Sequence, residues 1–179
     1  IVCLAASCSL SSAMPPLSSQ TKQILLEPLR EELRVAIVSV IGLWAQGQPF
    51  THEKVQYCMR KFDLAARGLF EVVNTVVLLA DLMPQVLEMV DLGIRAHMEQ
   101  ARLIGEGNFS LICNEILRIA LFPDILLALD VSKLTSYFAR DAAVANLQRL
   151  RHLTSLALPG DYDCGPRVAL SIRHLPSLK

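Results

Sequence analysis

An excess of charge of either sign is missing from this chain. Seventeen Lys and Arg balance 17 Asp and Glu, with no basic block, so nucleic acid is not an expected partner. Paired cysteines are missing as well. Cys3, Cys8, Cys58, Cys113 and Cys164 are odd in number and never spaced C-x-x-C, which excludes a disulfide framework and a zinc site. Cys58 and Cys113 fall in helical apolar patterns and read as free buried thiols, as in a reducing interior, so an intracellular, cytoplasmic setting is expected. Glycines (8) and prolines (9) are few and sit mostly at apparent element boundaries.

Long hydrophobic runs are also lacking. The apolar core within 34–44 is about ten residues, too short to span a bilayer. The stretch 69–90 is long enough but is interrupted by Glu71, Asp81, Pro84 and Glu88, and reads as buried helices instead. No G-x-S-x-G, P-loop or G-x-G-x-x-G occurs, and Ser110 and Cys113 have no identifiable base, so no enzyme, cofactor or catalytic residue is expected. An enzyme whose site lies outside these 179 residues is the third reading, behind the two weighed below.

What the chain does have is apolar mass. At 179 residues, 53% apolar and 19% charged, it is built to bury a core and not to stay disordered. Residues 1–19 are rich in Ser, Ala and Pro and read as a loose tail. The first Met is Met14, so 1–13 is read either as read-through before a start at Met14 or as the end of something longer. A remnant of a signal peptide is the further alternative, although a basic n-region is missing. The sequon Asn108-Phe109-Ser110 would matter only in a secreted chain.

Residues 20–122 are expected to be helical. A helix beginning at Pro28, with Glu31 and Glu32 near its positive end, carries Leu29, Leu33, Ala36, Ile37, Val40 and Trp44 on one stripe and stops before Gly47 and Pro49. Thr51 is the expected N-cap of a second helix with Val55, Cys58, Met59, Phe62 and Ala66 on one face, broken or bent at Gly68. The run 69–83 is apolar nearly all round and is assigned to one helix buried on more than one side, with Pro84 at a boundary. The segment 85–104 is amphipathic, with Val86, Val90, Ile94, Ala101 and Ile104 inward. Asp91, Arg95, Glu99 and Arg102 are placed on its solvated side, where Asp91–Arg95 and Arg95–Glu99 form i,i+4 pairs. Residues 105–108 read as a turn, and 109–120 as a helix carrying Ile112, Ile116 and Ile119.

After Pro123 the pattern changes. Strands are expected at 125–131 and 153–158, helices over 136–150 and from Pro166 with Val168, Ala169 and Ile172 inward, and a further strand starting at 175–178. Arg173-His174-Leu175-Pro176-Ser177-Leu178 repeats Arg151-His152-Leu153-Thr154-Ser155-Leu156 at 173 − 151 = 22 residues. Leu126-Leu127-Ala128-Leu129-Asp130-Val131 aligns with Leu153-Thr154-Ser155-Leu156-Ala157-Leu158 at 153 − 126 = 27. Both spacings suit units of one strand and one return helix, which need neighbours or a cap to cover their apolar edges.

On those residues, 123–179 resembles leucine-rich repeats of the ribonuclease-inhibitor-like kind, with long helical return segments. It departs from the family where an Asn or Cys commonly follows the strand, since Gly160 and Lys133 stand there. The resemblance implies a mainly α fold: a helical region over 20–122 capping the first α/β repeats of a solenoid, incomplete at 179. It further implies protein–protein interaction or adaptor work by the strand face, in which Thr154, Ser155 and Ala157 lie between the inward Leu153, Leu156 and Leu158. Substrate recognition for a ubiquitin ligase is one use found among intracellular relatives, although 20–120 holds no intact F-box or elongin-binding pattern. The identity of the partner and the oligomeric state are not legible.

The remaining candidates have plainer readings. Asp161-Tyr162-Asp163-Cys164-Gly165 has D-x-D but not the other ligands of a calcium loop. His52-Glu53 has no second histidine four residues on, His97 flanks an apolar stripe, and His152 and His174 share one repeat position, so no metal is expected. The alternative function is an all-helical protein of lipid or membrane surfaces, against which the mixed charge of the helices counts. If the repeat reading holds, Leu156→Asp places a charge in the solenoid core and should unfold or aggregate the C-terminal region, and an unchanged melting temperature would count against that reading.

Overall fold

In the computed structural model, residues 15–160 and 166–178 are described. The tail 1–13 with Cys3 and Cys8, Met14, the loop 161–165 and Lys179 lie outside them, as does Arg167's side chain. Seven helices and one two-stranded parallel sheet make the described part mainly helical.

Helix α1 (Ser19–Ala45) starts nine residues before Pro28, because the Ser18 hydroxyl accepts the Thr21 N–H at 3.1 Å and caps it there. Pro28 is therefore interior. The carbonyl it leaves without a helical donor is that of Ile24, on the exposed side of the helix. Gly47, at φ +70°, turns the chain after α1. Thr51 caps α2 (His52–Val72) as expected, and Gly68 neither starts nor ends an element. The run 69–83 is not one helix. The chain breaks at 73–75, where the Thr75 hydroxyl accepts the Leu78 N–H at 3.2 Å and starts α3 (Val76–Ala96), with Pro84 inside it.

The segment 85–104 also divides. His97 ends α3, its Nδ1 lying 2.9 Å from the Gly93 carbonyl oxygen, and α4 (Met98–Ile104) follows. The break removes the helical continuity that an Arg95–Glu99 pair requires. Gly105, at φ +84°, joins α4 to α5 (Glu106–Ala120), so residues 106–108 are the first turn of a helix and not a loop.

Beyond Pro123 the order is β1 (Ala128–Asp130), α6 (Tyr137–Asn146), β2 (Ser155–Ala157) and α7 (Pro166–Arg173). The strands are shorter than the apolar runs that contain them, and α6 tightens after Asn146 into a 3-10 turn, Leu147–Arg149. They pair parallel, Ala128 beside Ser155, Leu129 beside Leu156 and Asp130 beside Ala157, at the same offset of 155 − 128 = 27 as the sequence alignment. One local turn occurs three times: the N–H groups of Leu126, Leu153 and Leu175 donate to the carbonyls of Pro123, Leu150 and Ile172, and all three leucines are buried. The expected strand at 175–178 is a turn. Thr154 donates its N–H to the Leu127 carbonyl at 2.8 Å, but the matching position of the third copy, 176 − 22 = 154, is Pro176, which has no N–H. In α7 Val168 is buried but Ala169 is exposed, and Ser171 takes the inward place. Leu156 is half-buried while Leu153 is fully buried, so a charge at Leu156 costs less than one at Leu153.

The buried side chains from Leu26 to Leu175 form one cluster, in which α1 lies along α2 and α3, α5 bridges α2 and α6, and β1 rests on α3. Lys22 and the Leu17 N–H bind the Asp81 carboxylate at 2.6 and 2.8 Å, pinning the start of α1 to α3, and Lys22 holds that carboxyl below its ordinary range.

Asp91 is the main departure from the helical-wheel reading. Only 2% exposed, it accepts the N–H and hydroxyl of Thr135 at 2.8 and 2.7 Å and the N–H of Ser136 at 3.1 Å, and pairs with Arg95 at 3.0 Å. A carboxylate on α3 thus caps the start of α6, whose own N-cap serine makes no side-chain cap bond. Asp91→Ala should destabilise the chain by about 3 kcal/mol, since two backbone donors and a cation lose their acceptor together. Urea unfolding followed by circular dichroism measures that loss.

Candidate functional site

A groove of about 190 Å³ runs between the outer face of α3 and the outward face of the sheet. Ala80, Met83, Pro84 and Leu87 form its helical wall, and Ala128, Leu129, Asp130, Ser155 and Ala157 form its sheet side. The sequence builds the groove with small residues. Ala128 and Ser155 are neighbours across the sheet, as are Asp130 and Ala157, so the exposed side of the strands carries no bulky chain. On the helix, Ala80 is exposed and Pro84 half-buried four residues on, and Val77, 61% exposed, precedes Ala80 by three. Pro84 has no N–H to give the Ala80 carbonyl, so the helical ladder lacks one bond there.

Of the three residues expected to meet a partner, the structure brings Ser155 and Ala157 to this groove and not Thr154. Thr154 is exposed, but its N–H and hydroxyl both donate to the Leu127 carbonyl, at 2.8 and 3.0 Å, so it serves strand pairing. Missed were Ala80, Pro84, Ala128 and Asp130. A signal for two of them was present: subtracting 27 from 155 and 157 gives 128 and 130. No signal along the chain placed α3 beside them.

The other candidates resolve into structural roles. His52 lies 2.8 Å from the Gln56 amide nitrogen on the surface of α2, His97 ends α3, and His152 and His174 are exposed. Among the described residues no three His, Cys, Asp or Glu side chains are grouped to hold a metal ion, and Asp161-Tyr162-Asp163-Cys164-Gly165 lies outside them. Asp130 closes the turn after β1, its Oδ1 accepting the Ser132 N–H at 3.0 Å, while Lys133 is exposed.

Near the end of α5, Glu115 is 1% exposed and takes both Nε and Nη2 of Arg118, which raises the arginine's pKa. Arg149 donates to the Arg118 carbonyl, and its pKa is lowered by burial and then by the charge of Arg118. Arg67 pairs with Asp63 at 3.1 Å and lies 4.2 Å from the Phe122 ring centroid. Arg118, in the last turn of α5, and Arg149, bonded to its carbonyl, stand at the negative end of that helix's dipole.

No protein family, curated protein or solved structure matches this chain. Among the described residues no helix is long and apolar enough to cross a membrane.

Cys58 is free and half-buried, Cys113 free and buried, and Ser110 is exposed. Burial raises both thiols, that of Cys113 from 9.0 to about 12. A thiol raised in the folded state contributes stability that is full below its unfolded pKa and declines as pH climbs toward the folded value. Stability should therefore fall from about pH 9 toward 12, with a smaller slope in Cys113→Ala once that variant's own cavity cost at pH 7 is subtracted. Urea unfolding at a series of pH values reads the difference. At neutral pH a thiol reagent should label Cys58 well before Cys113.

Proposed function

We propose that this chain is a protein-binding module of the leucine-rich repeat type, in which helices α1–α5 cap the first strand-and-helix units and the groove beside α3 meets the partner. The observation that carries the reading is the parallel pairing of β1 and β2 at an offset of 27, equal to the spacing of the leucine pattern. Equal spacing in sequence and in register is what stacked repeat units produce. The threefold turn at Leu126, Leu153 and Leu175 supports it further.

The helical cap is supported by the contacts of α3 with β1 and by the Asp91 tie, which cover one apolar side of the first unit. A small, exposed strand face beside an apolar helix wall suits contact with another polypeptide. The apolar stripes of α1–α5 are turned into the protein's own core, which favours protein contact over insertion into a lipid surface.

Photocrosslinking tests this. A benzoylphenylalanine at Ala157, in the groove, is compared with one at Tyr57, which is 76% exposed on α2. The expected result is a discrete protein adduct from position 157 only, competed by excess unmodified chain and lost with Ser155→Arg. Equal labelling from both positions, or adducts with lipid, would overturn the reading.

A further inference from the structure

We infer that the groove is a subsite for a lysine or arginine side chain of the protein partner, an inference that rests on the protein-binding reading above. Among the described residues lining the groove Asp130 is the only charged one; the rest are Ala80, Met83, Pro84, Leu87, Ala128, Leu129, Ser155 and Ala157. Its two oxygens are unequally used. Oδ1 accepts the Ser132 N–H at 3.0 Å and the Ser132 hydroxyl, whereas Oδ2 accepts no hydrogen bond among the described residues. Asp130 pairs with no lysine or arginine among the described residues, whereas Asp81 and the buried Asp91 and Glu115 each do.

The rest of the site suits the same occupant. A basic side chain has an apolar stem and a cationic head. The stem would lie along Ala80, Pro84 and Leu87 over Ala128 and Ala157, which are too small to obstruct it. The head would reach the free oxygen of Asp130. A purely apolar occupant would cover that carboxylate oxygen without replacing its water, and an acidic one would be repelled by it.

The test uses the full chain labelled with ¹⁵N and two probes, N-acetyl-lysine methylamide and N-acetyl-norleucine methylamide, which share a stem but not a charge. The lysine probe should shift the amides of Ala128, Asp130, Ser155 and Ala157 with a Kd on the order of millimolar, and the norleucine probe should bind roughly three- to tenfold more weakly. Asp130→Asn keeps an acceptor for the Ser132 N–H and should abolish the difference between the probes. Ala157→Leu should block both while leaving amide shifts far from the groove in place. Equal binding of the two probes, or no shift in the groove, overturns the inference. The photocrosslink from position 157 then separates the two levels: a competed protein adduct leaves the protein-binding reading standing without a basic subsite, and its absence removes both.

Discussion

The carboxylate of Asp91 sits where two unlike parts of the chain meet, and the arrangement of both depends on it. Three of its hydrogen bonds go to residues 135 and 136, more than forty positions away in sequence, at the entry to α6. A buried carboxylate is costly unless its acceptor capacity is filled. Two backbone N–H groups, a hydroxyl and the Arg95 guanidinium fill it, and in the same act supply the cap that Ser136 does not give its own helix. Apolar contact between α3, α5 and α6 holds the parts together but tolerates sliding, whereas hydrogen bonds to one carboxylate define a single register. With α6 set, the strand before it lies against α3, and the groove follows from that placement.

The groove is the consequence of small residues on both sides and one proline. Ala80 and Pro84 on the helix, and Ala128, Ser155 and Ala157 on the sheet, leave space between elements that otherwise bury leucines. One Asp130 oxygen closes the turn after β1, and the other accepts no hydrogen bond among the described residues. This combination distinguishes the groove from the end of α5, where Glu115 holds Arg118 and Arg149 donates to the Arg118 carbonyl.

The local elements were largely legible because their causes are local. Thr51 caps its helix from three residues away, the stripes at Val55, Met59, Phe62 and Ala66 fall on one buried face, and the spacing of 27 between leucine patterns reappears as strand register. Errors arose where a rule of propensity met a competing local bond. Pro28 looked like a helix start, but Ser18 had already capped the helix upstream, and a missing N–H facing water costs little. The break between α2 and α3 lay in Asn74 and Thr75, hidden inside a run whose hydrophobicity suggested continuity. Pro176 likewise removes a ladder donor from an otherwise repeated leucine pattern.

By itself the sequence determined that the chain is mainly helical, which stripes of the first two helices and of α5 turn inward, and that a leucine pattern recurs near its end at a spacing of 27. All of these follow from periodicity, which a linear string records. Only the tertiary structure decided that Asp91 is buried, that Thr154 is spent on strand pairing, and that Ala80 and Pro84 stand opposite Ala128 and Ser155. Those facts depend on which helix face meets which neighbour. Helical period separates an inward side from an outward one, but it does not say whether the outward side meets water or another part of the same chain.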